Sequence, residues 1–320
     1  MVRNFNKLLR AKWSKGQFVC VGLDPDWAKV PEVIKLAYCL GKDTKGEWIV
    51  TSRALERFCI PIVDATEDVA SAFKLNAAFF EAHGEVGRRA LTAVIAYIRK
   101  NAPDVAVIYD AKRGDIGNTN EGYAHDAFDG LCADAITVHP TLGQEAMMSF
   151  LKRADSGVIV LCRTSNPGAG EFQDRLTEIT WQEAETMPSG IVTALDVRDN
   201  IGPIFHATTR WFARNYQCVA QRVANNWNQN GNCAVVVGAT YPEELAQVRA
   251  IVGNIPILIP GIGAQGGDIE KTVKAGKDGN GQGMIINSSR GIIHASSEDD
   301  FAEVARREAM KLHGEIIKHL

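Results

Sequence analysis

Short apolar runs rich in β-branched residues recur along the chain, separated by longer stretches in which apolar residues return at helical spacing. The runs fall at 18–25, 72–77, 105–110, 135–139, 157–164, 234–238, 257–260 and 284–287. Most are apolar at nearly every position rather than at every second one, the pattern of parallel strands covered on both faces. Helical periodicity at 84–100 and 242–252 supplies crossovers between them. Eight β/α units predict a single (β/α)8 barrel of the TIM type over residues 1–320, with catalytic groups at the C-terminal ends of the strands. Two connections are long, 26–70 after strand one and 166–232 after strand five, and insertions of that length usually carry structure of their own. Trp181, Trp211 and Trp227 are available for packing in the second.

A doubly wound sheet is the competing architecture, because Gly261-Ile262-Gly263-Ala264-Gln265-Gly266 fits the GxGxxG pattern after a strand. A dinucleotide site would want an acidic residue at the end of the following strand, where Met284-Ile285-Ile286-Asn287 instead leads into Ser288-Ser289-Arg290-Gly291. The motif also comes at the seventh strand, and barrels commonly bind phosphate after strands seven and eight. A phosphomonoester cradle is the better expectation.

Composition narrows the class. Apolar residues make up 46% and charged residues 23% of the 320, the balance of a globular protein with a sizeable core. A formal net charge of −3 gives no electrostatic case for a nucleic-acid or membrane partner and leaves phosphate binding to a local pocket. The seven cysteines stand singly, without a CxxC pair, and read as reduced thiols. With no signal-peptide apolar region at the start and no run long enough to span a bilayer, the expected location is the cytoplasm.

The chemistry concentrates where the third run ends, in Tyr109-Asp110-Ala111-Lys112. Alternation along a strand puts Asp110 and Lys112 on one side, and Asp115, after the Arg113-Gly114 turn, can bring a second carboxylate near the same ammonium. Lys74 lies within strand two, where a core lysine is costly unless paired. Two lysines and two aspartates can compensate one another in a buried array. The plain alternative is a solvated strand-end cluster with Lys74 reaching outward. His125 and His139 lack a metal-like constellation, and His139-Pro140 reads as a structural strand end.

Five motifs, in order from strand one to the turn after strand seven, resemble the orotidine 5'-phosphate decarboxylase family, in particular its longer bacterial form. They are Gly22-Leu23-Asp24-Pro25, Phe73-Lys74, Asp110-Ala111-Lys112-Arg113-Gly114-Asp115-Ile116, Ser165-Asn166-Pro167-Gly168-Ala169 and Pro260-Gly261-Ile262-Gly263-Ala264-Gln265-Gly266-Gly267. The resemblance implies a small-molecule nucleotide substrate that loses its carboxylate as CO2, with Lys112 protonating pyrimidine C6 and with neither metal nor organic cofactor. Asp110 would face the leaving group, and Lys74 and Asp115 would complete the array. It further implies Asp24 on the ribose hydroxyls, Ser165 on the pyrimidine edge, Gln265 and Arg290 on the phosphate, and Pro260 among the substrate contacts. Asp115 and Thr119 would reach into a partner's site, making a homodimer the working unit. Taken by itself, Thr119 reads equally as a helix N-cap. The 166–232 connection exceeds what compact members of the family need.

Three other readings compete. A related magnesium-dependent barrel would want an acidic ligand on strand two, where this chain has Lys74. A Schiff-base aldolase would want a free amine, which flanking aspartates disfavour. A non-catalytic nucleotide binder would not need the lysine-aspartate array.

Overall fold

The structure, a computed structural model, describes residues 3–199, 206–262 and 266–320. Eight strands close into a parallel barrel: β1 (Val19–Leu23), β2 (Ala70–Asn76), β3 (Ala106–Arg113), β4 (Ala135–Val138), β5 (Gly157–Arg163), β9 (Cys233–Val237), β10 (Ile257–Pro260) and β11 (Met284–Ser288). β5 pairs with β9, and β1 closes the ring against β11. All eight expected strands are present. Every residue of β1, β4, β5, β9 and β11 is buried, which is why their sequences show no alternation.

The expected helices form at Gly84–Asn101 and Pro242–Val252, the second opened by a proline whose missing N–H would have had no partner in the first turn. Phe58, Phe73, Phe80 and Phe150 are fully buried between barrel and helices, each worth about 1.5–3 kcal/mol relative to exposure.

Both long connections carry structure. The first holds helices Glu32–Tyr38 and Ser52–Thr66. The second holds β6 (Leu176–Ile179), β7 (Thr193–Asp199) and β8 (His206–Arg214), an antiparallel sheet in the order β6-β8-β7. Ile179, Met187 and Ala213 form its own small core, with Trp211 packed against it. Trp227 is buried in the main core, whereas Trp181 is 49% exposed and does not fill the packing role expected of it. The seven cysteines are free, and burial pushes the Cys20 and Cys162 thiols up to about 12.

Candidate active site

A cavity of about 890 Å3 opens at the C-terminal ends of the barrel strands. Its charged wall is built across three neighbouring strands. Gly22 on β1 pairs with Lys74 on β2, and Asn76, two residues on, pairs with Asp110 on β3. The Lys74 ammonium stands 2.9 Å from Asp110 Oδ2 and 3.5 Å from Asp24 Oδ1, and Lys112 Nζ lies 2.7 Å from Asp110 Oδ1. The result is an alternating chain, Asp24, Lys74, Asp110, Lys112. Lys74 is only 4% exposed, so it is paired within the barrel and does not reach outward.

Burial alone would raise the Asp110 carboxyl; Lys74 and then Lys112 overcome it and hold the group well below the usual carboxylate range. For Lys74, burial works against the charge, and Asp110 and Asp24 together raise the ammonium above its ordinary value. Both therefore stay charged around neutral pH.

The expectation that Asp110 and Lys112 share a side holds, but its cause is not simple alternation. Tyr109 pairs with Ile136 and Arg113 with Val138, so Asp110, Ala111 and Lys112 pass Thr137 alone in a bulge. Lys112 takes a left-handed φ of 49°, a conformation that costs a side chain roughly 1–2 kcal/mol.

Asp115 does not join this array within its own chain, because the bulge and the turn after it carry the residue away. Its carboxylate accepts from the Ile116 N–H at 2.7 Å, and Asn120, fully buried, accepts from the Asp115 N–H at 3.0 Å and donates to its carbonyl. Neither Asp115 nor Thr119 lines the cavity. The helix Gly117–His125 starts after Ile116, so the N-cap role does not fall to Thr119, which is exposed in the first turn.

Ser165, Pro260 and Arg290 all line the cavity. Gln265 lies outside the described residues. Arg290 begins the short helix Arg290–Ile293 after β11, and among the described residues its guanidinium has no ion-pair or hydrogen-bond partner. The approach of this turn to β1 needs a glycine: a Cβ at Gly22 would stand 1.8 Å from Ser289 Oγ. His139 also lines the cavity, and its backbone N–H donates to the Arg113 carbonyl at 2.8 Å. Burial, then the Lys112 charge, hold its imidazole below the ordinary value. His125 is an exposed helix residue 2.9 Å from Asp129. Among the described residues no three His, Cys, Asp or Glu side chains converge as metal ligands.

Four supporting residues escaped the sequence reading. Arg163, 2% exposed at the end of β5, lies 4.0 Å from the Tyr241 ring and 3.1 Å from Asp174. With Gln173, whose Oε1 accepts from the Thr164 N–H at 2.9 Å, it ties down the loop that carries Ser165. A lone arginine inside an apolar strand was the available signal. His294 stacks on Phe58 and its Nε2 lies 3.2 Å from the Asp26 N–H, bracing the turn that presents Asp24. Thr137, which touches both Asp110 and Lys112, looks in sequence like any β-branched core residue.

The family model described as "Orotidine 5'-phosphate decarboxylase / HUMPS family" matches residues 17–306. The chain belongs to the orotidine 5'-phosphate decarboxylase family. Members called orotidine 5'-phosphate decarboxylase are similar along nearly the whole length. That of Janthinobacterium sp. (strain Marseille) is 43% identical over 317 residues, 99% of either chain. That of Ralstonia pickettii (strain 12J) is 43% identical over 313 residues, 98% of this chain and 97% of the other. Among solved structures, the OMP decarboxylase of Leishmania donovani matches with a TM-score of 0.71 at 32% identity, covering 97% of this chain and 99% of that one. The decarboxylase family thus includes relatives with the same extent as this chain. No helix among the described residues is long and apolar enough to cross a membrane.

Proposed function

We propose that the protein converts orotidine 5'-phosphate to uridine 5'-phosphate and CO2 in pyrimidine nucleotide synthesis, using side chains alone, with Lys112 as the proton donor. The observation that carries this reading is the alternating chain Asp24, Lys74, Asp110, Lys112 on the wall of a cavity whose volume, about 890 Å3, lies within the range of small-molecule sites. Asp110, held ionised, faces the substrate carboxylate. As the C–C bond breaks, CO2 leaves and the electron pair stays on C6. The Lys112 ammonium stabilises that charge, and its N–H proton passes to C6; the neutral amine then regains a proton from solvent. Fixed charges of this kind need no rearrangement at the moment of reaction.

The remaining contacts follow the same logic. Asp24 takes the ribose hydroxyls, Ser165 the pyrimidine edge, and Arg290 with Gln265 the phosphate, with Pro260 beside them. Arg290 is suited to this, since a guanidinium presents a planar fork to phosphate oxygens and here has no competing protein partner among the described residues. Phosphate lies far from the breaking bond, so gripping it supports orientation and raises the rate as well as the affinity. Against the magnesium reading, the position between Asp24 and Asp110 already holds the Lys74 ammonium. Against the Schiff-base reading, the same carboxylates favour the charged form of Lys74 over a free amine.

The working unit is a homodimer in the cytoplasm, with Asp115 and Thr119 completing the partner's site. What supports the shared site is their absence from their own cavity and the exposure of the adjoining Ile116, which is 60% accessible.

Purified protein with a chelator present is expected to consume orotidine 5'-phosphate, followed by loss of the substrate's ultraviolet absorbance; no turnover sinks the reading. Mixing Lys112→Ala and Asp115→Ala subunits, each inactive alone, is expected to restore about a quarter of wild-type activity at random exchange, because half the dimers carry one intact site. No recovery despite proven exchange would place Asp115 in its own chain's site.

A further inference from the structure

At the bulge of β3, one residue of β4 faces the reaction centre. Thr137 is 1% exposed. Its hydroxyl accepts from the backbone N–H of Lys112 at 2.9 Å and stands 2.8 Å from Asp110 Oδ1. An N–H can only donate, so that contact uses a lone pair and leaves the hydroxyl proton for the carboxylate. The same Asp110 oxygen accepts from Lys112 Nζ at 2.7 Å, while Oδ2 accepts from Lys74 at 2.9 Å. A single hydroxyl therefore links the main chain of one charged residue to the head group of the other.

We infer that Thr137 is a positioning residue for the proton donor: its hydroxyl fixes the bulge at Lys112 and the orientation of the Asp110 carboxylate, and so sets where the ammonium stands over the reacting carbon. The inference rests on the decarboxylase reading. Lysine does not hold a left-handed φ by its own preference, so the bulge needs an outside acceptor for its N–H. Lys74 on Oδ2 and Lys112 on Oδ1 hold the Asp110 carboxylate from two sides, and the bond from Thr137 adds a third, from the same hydroxyl that holds the Lys112 N–H.

Thr137→Val keeps the shape and removes the hydroxyl, whereas Thr137→Ser keeps the hydroxyl. The valine variant is expected to lose about ten- to a hundredfold in kcat with KM within about threefold of wild type, since the phosphate grip is untouched. The serine variant is expected to recover to within about threefold of the wild-type kcat. A folded valine variant with kcat within about twofold of wild type overturns the inference, as does a serine variant as slow as the valine one. If the valine variant does not accumulate folded, Thr137→Ala, checked by thermal unfolding, carries the same comparison. A crystal structure of the variant reads position without turnover: Lys112 Nζ displaced from Asp110 supports the inference, and an unmoved Lys112 overturns it. Absence of turnover in the wild type would sink the parent reading alone, leaving that structural comparison to judge Thr137.

Discussion

Lys112→Ala is expected to lower kcat at least about 10⁴-fold while leaving a folded protein that still binds uridine 5'-phosphate. A positioned general acid contributes about 10²–10⁴-fold, and a fixed charge beside a developing anion about 10²–10³-fold more. Lys112 is assigned both tasks, and among the described residues no neighbour is placed to take them over. Lys74 is committed to Asp110 and Asp24, and His139 is held below its ordinary pKa by burial and by Lys112 itself. Folding should survive, because the Lys112 side chain is 44% exposed and leaves no core cavity when shortened. Decay of substrate absorbance gives kcat, and titration calorimetry with the product gives the affinity. Activity within tenfold of wild type would remove Lys112 from the proton-donor role.

Asp110→Ala is expected to abolish turnover and also to cost stability, which separates it from the lysine variant. It leaves the buried Lys74 ammonium without its 2.9 Å partner, an uncompensated charge of the kind that costs about 3–5 kcal/mol. The lower end, about 3 kcal/mol, is expected because Asp24 remains 3.5 Å away. The half-exposed Lys112 adds little through screened solvent. The sign of the pH dependence follows from the directions of the shifts. Asp110 is depressed, so its contribution is present above the unfolded carboxylate pKa, about 4, and is lost as pH falls through the lower folded value. Lys74 is raised, so its contribution is present below about pH 10 and is lost only as pH rises through its higher folded value. Urea unfolding of the two proteins should differ most across the neutral range, with the gap closing in strong acid. A gap that widens on acidification would contradict the pairing.

The barrel was legible because its strands are buried on both faces: a run such as β9, from Cys233 to Val237, has no polar position to blur it. The small sheet was not, because Leu176, Thr177 and Glu178 of β6 are exposed and their pattern is that of any surface segment. At the site, Lys74, Asp110 and Lys112 could be read because charge in an apolar strand is costly and therefore informative. Their geometry could not. No glycine marks the bulge at Lys112, and the bonds from Thr137 and Asn120 connect residues 25 and 5 positions apart without any charge to advertise them. Asp115 shows the limit of spacing as a guide: three residues from Lys112 in sequence, it is turned away in space by the backbone between them.

The alternation of Asp24, Lys74, Asp110 and Lys112 also governs what the cavity looks like from a distance. Two positive and two negative charges in sequence cancel to leading order, so their field dies away within a few ångströms. Arg290, unpaired among the described residues, keeps its monopole. On the proposed reading, an incoming phosphorylated ligand would be oriented tail first, drawn by the guanidinium across roughly one Debye length of about 8 Å, before its ring came close enough to sense the other four charges.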